Sequence, residues 1–266
     1  MKVFLRTIAA GIAAVSVFII SGCSSNFLGK GNSISPTVSS ADVAPTGRDL
    51  TIRVKELDIT GHEDQISNAQ KVMVSQSFAT SCATLKDLYR NCPEIVRCTV
   101  TKSAFTVHEG TPYTKIDVKV TDSLKGDLSA GDMITVMQMG GYMTLQDEVD
   151  AFHDEAHFKQ MTKEERQKIF IEKKTSSDNY PKAGDSYVYY LAKDNIFPGA
   201  YTPVNDYECR FKIDGNGNCT RNMPGNEPNG TVKAAVTAET AKAQSLDHCT
   251  YGSMKEQLAA IALQNK

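Results

Sequence analysis

The chain has 266 residues, of which 29 are Lys or Arg and 31 are Asp or Glu, so its formal net charge is −2. This balance excludes the broad basic surface with which proteins bind phosphate backbones, so we expect no nucleic-acid partner. A hydrophobic fraction of 41% with 23% charged residues is typical of a globular protein and excludes both a disordered chain and a polytopic membrane protein.

The first 22 residues have the pattern of an export signal. Lys2 and Arg6 supply a short positive start, and a nearly continuous apolar run follows over residues 7–20. That run is shorter than the roughly 20 residues that a membrane-spanning helix needs, and it has the length of a signal-peptide core. Residues 1–22 are therefore predicted to be a signal peptide.

The signal ends on Ile20-Ser21-Gly22-Cys23, which resembles the lipobox of bacterial lipoproteins. In that family, small residues before the cysteine let a protease reach the bond, and the cysteine carries a diacylglycerol. The resemblance implies that Cys23 becomes a lipidated N-terminus, that the anchoring partner is a membrane, and that the domain faces outside the cytoplasm in the cell envelope. Each buried CH₂ contributes about 0.8 kcal/mol, so two or three acyl chains would anchor the protein stably. A chance cysteine behind an ordinary signal peptide, or an uncleaved anchor, is the alternative.

Residues 24–49 are rich in Ser, Gly and Pro and show no periodicity. With Cys23 they are predicted to form a lipid anchor and flexible tether over residues 23–49, with an r.m.s. length of roughly 25–30 Å. Residues 50–266 are then a single β-rich domain, long enough to bury a core.

Alternation of apolar and polar residues predicts the strands of this domain. In 113–124 it places Ile116, Val118 and Val120 on one face and the polar residues Lys115, Asp117, Lys119 and Thr121 on the other. A bulge is predicted near Ser103, a hairpin loop at 108–112, and turns at 125–127, 130–132 and 214–217. The predicted strands are residues 50–54, 96–101 with a continuation through 107, 113–124, 133–139, 186–191, 209–213 and a short strand after Gly217.

Helical patterns surround and interrupt these strands. Helices are predicted from Ser81 to Asn91, in an insertion at 145–180 with a capping box at Thr162, and after a second capping box at Ser253-Met-Lys-Glu256. Residues 235–247 are weakly helical by composition. Consecutive short strands with hairpin connections then predict an α+β fold, mainly an antiparallel β-barrel or sandwich with a helical insertion and a C-terminal helix.

One part of this pattern resembles a known type of module. Leu124-Lys125-Gly126-Asp127, then Gly131-Asp132, and later Gly184-Asp185-Ser-Tyr-Val-Tyr-Tyr-Leu191 give the order strand, Lys-Gly turn, strand, Tyr-rich strand. Over roughly residues 94–215 this order is similar to that of uncharacterised bacterial surface proteins and of the netrin and metalloprotease-inhibitor modules. The resemblance implies an OB-like barrel and brings no catalytic residue, and the cysteine positions differ from those of the animal modules.

The cysteines are the first candidate site. Without Cys23 six remain, and an even number in an exported domain predicts up to three disulfides, with free thiols or a metal cluster as alternatives. At the two ends of one helix, Cys82 and Cys92 would be about 15 Å apart, too far for a bond. Cys209 and Cys219 flank a hairpin and are the natural local pair, whereas Cys92–Cys98 and Cys82–Cys249 are conjectures. The six are Cys82, Cys92, Cys98, Cys209, Cys219 and Cys249.

Histidines supply a second candidate. His153 and His157 are four residues apart, with Asp150 one turn earlier. On one helix face they could bind zinc, although Asp154 stands where zincins have Glu, and a solvated acidic helix is the alternative. Asp214–Asn218 superficially resembles a calcium loop, but Cys219 replaces the expected glycine, which favours a hairpin turn.

Tyr187 and Tyr189 share one strand face and are predicted either to stack on a ligand or to fill the core. The chain has no nucleophile elbow, phosphate loop or dinucleotide motif, and no cofactor is expected. The sequence thus favours a lipid-anchored surface module that binds an unknown protein or glycan over an enzyme. The alternatives are a metal-dependent hydrolase using His153 and His157, and a protease-inhibitor-like module.

Overall fold

The structure, a computed structural model, describes residues 47–74, 82, 84–175, 179–221 and 249–264. The predicted signal peptide, Cys23, most of the tether and the weakly helical residues 235–247 lie outside these ranges. In the described ranges, no helix combines the length and the apolar character needed to cross a bilayer.

The fold is α+β and mostly β-sheet, with a helix at its C-terminus, which confirms the predicted class at that level. The strands are β1 Asp49–Leu50, β2 Gln70–Met73, β3 Glu94–His108, β4 Thr111–Lys125, β5 Met133–Met139, β6 Gly141–Thr144, β7 Phe170–Lys174, β8 Ser186–Lys193, β9 Tyr201–Pro203, β10 Arg210–Ile213, β11 Asn218–Thr220 and β12 Cys249–Thr250. The helices are α1 Glu63–Ser67, α2 Leu85–Asn91, α3 Leu145–Phe152, α4 Lys163–Arg166 and α5 Tyr251–Gln264, and a 3₁₀ turn covers Asp206–Cys209.

The larger sheet has the strand order β1-β5-β4-β3-β8-β10-β11-β12. Strand β9 pairs with both β5 and β8, so the pairings β3-β4-β5-β9-β8 return to their starting strand. Glu109 and Gly110 both have positive φ (47° and 70°) in the β3–β4 turn, as a tight right-twisted hairpin requires. The register shifts between Val100 and Lys102, so the bulge lies slightly before the predicted Ser103.

A smaller sheet of order β2-β7-β6 lies beside it. It changes the interpretation of residues 145–180, which were predicted to be a helical insertion. The segment contains α3 and α4, but its end is strand β7, which pairs with β6 and β2. The capping box at Thr162 is confirmed, and the prediction of a purely helical insertion is wrong because residues 170–174 pair in this sheet.

The tyrosine-rich strand β8 separates two cores. Tyr187, Tyr189 and Leu191 pack with the inner faces of β3, β4 and β5, whereas Val188 and Tyr190 pack with α2 and α5. The predicted division between faces is confirmed. Tyr187, Tyr189 and Tyr190 are at most 4% exposed, so they fill the cores and do not form a ligand-stacking row.

The segment that follows β1 covers the outer face of β4 and β5. The predicted strand 50–54 shortens to Asp49–Leu50, because beyond it the backbone bonds mainly to side chains. Ile52 N–H donates to Thr135 Oγ1 at 3.0 Å, and the Thr106 hydroxyl donates to the Lys55 carbonyl at 2.7 Å. The part of the predicted polar face of β4 that carries Lys115 and Asp117 is therefore buried, whereas Lys119 on the same face is exposed.

The C-terminal helix α5 begins at Tyr251, two residues before the predicted capping box. The Ser253 N–H donates to Thr250 Oγ1 at 3.2 Å, so Ser253 lies in the first turn and Thr250 supplies the cap. The prediction of a Ser253 box is wrong for that reason. Met254 and Leu258 on this helix are buried in the core that also holds five of the cysteines.

Candidate functional site

The two candidate histidines do not share a helix face. Helix α3 ends at Phe152, and His153 terminates it in the left-handed conformation with φ 54°. His157 lies in the turn that follows, is 78% exposed at its side chain, and contacts the Asp154 carboxylate through Nδ1. Asp150 accepts a hydrogen bond from Gln146 Nε2. The geometry on which the zinc prediction depended is therefore absent from this described segment.

The segment from Asp214 to Asn218 is a hairpin turn. Asp214 Oδ1 accepts hydrogen bonds from the N–H groups of Asn216 and Asn218, at 2.8 and 2.9 Å. The carboxylate thus closes the β10–β11 turn, which agrees with the hairpin interpretation.

Three cysteines far apart in the chain converge at one point, which we call the thiol cluster: Cys82, Cys92 and Cys209. Their sulfur atoms all lie within 4.8 Å of one another, and the Cys92 and Cys209 sulfurs are 4.0 Å apart. Each residue is 0% exposed. The expectation that Cys82 and Cys92 are too far apart is wrong, because α2 begins at Leu85, so Cys82 is not part of the helix and its sulfur lies within 4.8 Å of that of Cys92.

Polar side chains hold the backbone of the thiol cluster. Arg221 Nη1 donates to the Cys82 carbonyl at 3.1 Å, and the Cys82 N–H donates to Glu208 Oε2 at 3.2 Å. Lys125 Nζ donates to the Cys92 carbonyl at 2.8 Å. Two cationic side chains therefore bond to the residues whose sulfurs converge.

The pKa values of the three thiols diverge. Hydrogen bonds from Cys209 and Cys92 lower the pKa of the Cys82 thiol to about 4. Burial raises the pKa of Cys209 well above its usual value, and the pKa of Cys92 is also raised, with Cys82 and burial as the raising influences. Hydrogen bonds from the two neighbouring cysteines thus favour loss of the proton from Cys82 over loss from Cys92 or Cys209.

The other three cysteines lie elsewhere. Cys219 and Cys249 are cross-strand partners in β11 and β12, so the predicted local pair Cys209–Cys219 is not the one that the strand register brings together. Cys98 is buried in the core on the opposite face of the larger sheet, where burial raises its pKa. The conjectured pairs Cys92–Cys98 and Cys82–Cys249 are not brought together either. No disulfide joins any two of these six cysteines in the structure.

Phe105, Tyr142 and Tyr180 form a second cluster, which we call the aromatic patch. The ring centroids are 4.9, 5.0 and 5.6 Å apart, with two of the three contacts edge-to-face. All three side chains are half-buried. The Lys174 ammonium lies 5.2 Å from the Tyr180 ring centroid, and burial, with the nearby Glu172 carboxylate, raises the pKa of Tyr142 to about 12.

A small cavity of about 10 Å³ adjoins the aromatic patch, with room for about one water. Its lining includes Tyr180 and Lys174 with Gln138, Asn179 and Arg210. The buried Tyr180 hydroxyl has no hydrogen-bond partner among the described residues. The Arg210 guanidinium, which is buried, donates to Gln138 Oε1 at 2.7 Å. The aromatic patch thus adjoins a small cavity lined mainly by residues with polar side chains.

Sequence reasoning missed both clusters. For the thiol cluster a signal was present, because Thr84-Leu-Lys-Asp87 is a capping box and the structure confirms it. Starting α2 at this box, and not at Ser81, would have released Cys82 from the helix. For the aromatic patch no local signal exists, because its three rings come from β3, β6 and the segment before β8.

The chain was compared with protein-family models and with curated proteins, and neither comparison gives a match.

Proposed function

We propose that this chain is an exported bacterial lipoprotein, held to a membrane by lipid on Cys23, and that its folded domain is a surface module that binds a protein or glycan ligand. The lipobox pattern Ile20-Ser21-Gly22-Cys23 and the preceding apolar run support the anchor. The Ser-, Gly- and Pro-rich residues 24–46 support a tether that leads to the fixed position of Arg48.

The aromatic patch is the observation that carries the binding proposal. Half-buried aromatic rings beside convergent polar groups are the usual composition of a recognition surface, because the rings supply apolar contact area and the polar groups fix orientation. The adjoining cavity has room for about one water. It is too small to enclose a whole substrate, which supports recognition at the surface over catalysis in a cleft.

We also propose that the ring of strands is a small OB-like barrel. The circuit of pairings β3-β4-β5-β9-β8 supports this interpretation, as does the apolar core on the inner faces of those strands. The β5–β9 contact consists of the single register pair Val136↔Tyr201, which is where the ring is weakest.

Binding is tested with the chain from residue 24 onward on arrays of cell-wall glycans and purified surface proteins. Tyr142→Ala and Tyr180→Ala are expected to weaken binding about tenfold or more, because each removes a ring that would contact the ligand. Phe152→Ala is the matched control, because Phe152 is a 50% exposed aromatic residue beside Lys173. Successive strand residues point to opposite faces, so Phe152 lies across β7 from the patch. If a ligand binds all three variants as tightly as it binds the parent chain, the aromatic patch is not the binding surface.

The anchor is tested with Cys23→Ser in the native host. The parent chain is expected to incorporate labelled palmitate and to fractionate with membranes, whereas Cys23→Ser is expected to do neither. A Cys23→Ser chain that still carries palmitate contradicts the lipobox proposal.

A further inference from the structure

The thiol cluster has the dimensions of a metal site. Because the sulfurs of Cys82, Cys92 and Cys209 are mutually within 4.8 Å, a point exists within about 2.8 Å of all three. Thiolates bind zinc-sized ions at about 2.3 Å, and three sulfurs at that distance around one ion are about 4.0 Å apart. The observed Cys92–Cys209 separation of 4.0 Å has this value. A disulfide would require about 2.05 Å.

The odd number of sulfurs also favours an ion. One disulfide within the thiol cluster would join two sulfurs and leave the third as a buried thiol. No other described cysteine is placed to pair with that thiol, because Cys219 faces Cys249 and Cys98 lies on the opposite face of the larger sheet. A single ion bound at the centre uses all three.

The surroundings suit negatively charged sulfur. Lys125 and Arg221 bond to the carbonyls of Cys92 and Cys82, so two positive charges offset part of the cost of burying thiolates. Two acidic groups, Glu208 and Asp87, also lie near Cys82, and the Glu208 carboxylate accepts from the Cys82 N–H and from Asn205 Nδ2. These bonds also fix the backbone from which the sulfurs project, as outer-shell contacts do around bound metals.

The number of available ligands indicates which metal ion the thiol cluster would bind. Zinc takes four ligands, and where the protein supplies three the fourth is water at an open position. The three cysteines are each 0% exposed, and in the described part of the chain no fourth cysteine, histidine or carboxylate joins their group. We propose that Cys82, Cys92 and Cys209 form an enclosed three-thiolate site for a soft metal ion, Cu(I), which thiolate ligands select.

The experiment uses the full-length chain carrying Cys23→Ser, in detergent, so that the lipidation cysteine does not compete. The reduced protein is titrated anaerobically with Cu(I) held by a coloured chelator. We expect one Cu(I) per chain to transfer, and X-ray absorption to show sulfur ligands alone. This second measurement needs no cysteine variant and so does not depend on how well variants fold.

Three variants then locate the site. Cys82→Ser, Cys92→Ser and Cys209→Ser are each expected to weaken Cu(I) binding at least about tenfold. Cys98→Ser is the matched control, because Cys98 is equally buried and lies on the opposite face of the sheet. Circular dichroism verifies that each variant is folded before titration.

Several results would overturn the proposal. Reduced protein that leaves Cu(I) on the chelator lacks the site, and protein that takes Zn(II) but not Cu(I) contradicts the choice of ion. Copper binding that all three variants retain places the metal elsewhere. A disulfide between two of the three cysteines, found by peptide mapping of protein that is alkylated directly in cells, would contradict a three-thiolate metal site, because two of its ligands would already be bonded to each other.

Discussion

The guanidinium of Arg48 forms a two-pronged ion pair with the carboxylate of Asp132, at the turn between β4 and β5. Arg48 Nε lies 3.2 Å from Oδ1 and 3.1 Å from Oδ2, and Arg48 Nη2 also contacts Oδ2. The Arg48 N–H donates to Asp132 Oδ1 at 2.8 Å, and the Ser129 N–H donates to Oδ2 at 3.0 Å. The pair therefore fixes the first described residues to the sheet.

Because of this ion pair, the free energy of unfolding is expected to decrease when the pH falls into the acid range. The hydrogen bond from Arg48 lowers the pKa of Asp132 to about 2, from an ordinary value of 3.8. A lowered carboxyl pKa stabilises the fold above the ordinary value, and that contribution is lost as pH falls through the folded value. Urea midpoints of the parent and Arg48→Met are expected to differ at pH 7 and to converge between about pH 4 and pH 2. Arg53→Met, at an exposed neighbouring position, is expected to follow the parent at every pH, and a constant difference for Arg48→Met would exclude this origin.

Position 126 accommodates only glycine, because the carboxylate of Glu94 packs against it in the turn after β4. The φ of Gly126 is +99°, and a Cβ there would lie 2.0 Å from Glu94 Oε2. Glu94 cannot move freely, because it is buried and accepts from the N–H groups of Asp127 and Leu128. We expect Gly126→Ala to cost about 2–4 kcal/mol of unfolding free energy, from backbone strain and broken hydrogen bonds.

Gly184→Ala separates those two contributions. Gly184 has a similar φ of +91°, but no atom lies within 4 Å of the position of its Cβ. Its substitution should cost about 1 kcal/mol, from strain alone. Chemical denaturation of both variants measures the difference, and equal costs would show that Glu94 adapts without loss.

Lys115 and Asp117 are a buried ion pair on the outer face of β4. Lys115 Nζ lies 2.6 Å from Asp117 Oδ2, and Thr135 Oγ1 donates to Asp117 Oδ1 at 2.6 Å. Lys115→Met leaves the Asp117 carboxylate without this cation, so we expect a loss of about 3–5 kcal/mol. Lys119→Met, at an exposed position of the same face, should stay within about 0.5 kcal/mol of the parent. Thermal and urea unfolding compare them, and a cost for Lys115→Met as small as that of Lys119→Met would contradict a stabilising role for the Lys115–Asp117 pair.

How far the sequence predicts this fold is clearest along β4. Its period of two places Ile116 and Lys115 on opposite faces correctly, because that period follows from strand geometry alone. It does not show that Lys115 and Asp117 are buried as well. The alternation over residues 50–54 marks Ile52 and Val54 as inward-facing, but it does not show that this segment covers β4, because beyond Leu50 it forms no regular strand.

The candidate sites show the same limit. Spacing alone suggested a shared helix face for His153 and His157. In the structure, the left-handed conformation of His153 ends α3 there, so His157 lies outside the helix. The thiol cluster depends on residues separated by 117 positions, Cys92 and Cys209. Their approach is set by how α2 and the 3₁₀ turn pack on β8, which is tertiary information that residue spacing does not contain.

Cys219 and Cys249 supply the last prediction. As cross-strand partners they have Cα atoms about 4.5–5.5 Å apart, within the range for a disulfide. In an oxidising compartment we expect them to join, closing a loop of about 30 residues that would stabilise the fold by roughly 3–4 kcal/mol. Peptide mapping without reduction should find this bond, and the double variant Cys219→Ser with Cys249→Ser should unfold at lower urea than the parent. Cys98→Ser is the control, because Cys98 is not a strand partner of another cysteine, and it should leave the Cys219–Cys249 disulfide in place. A disulfide mapped between Cys219 and Cys209 would contradict the strand register that pairs Cys219 with Cys249.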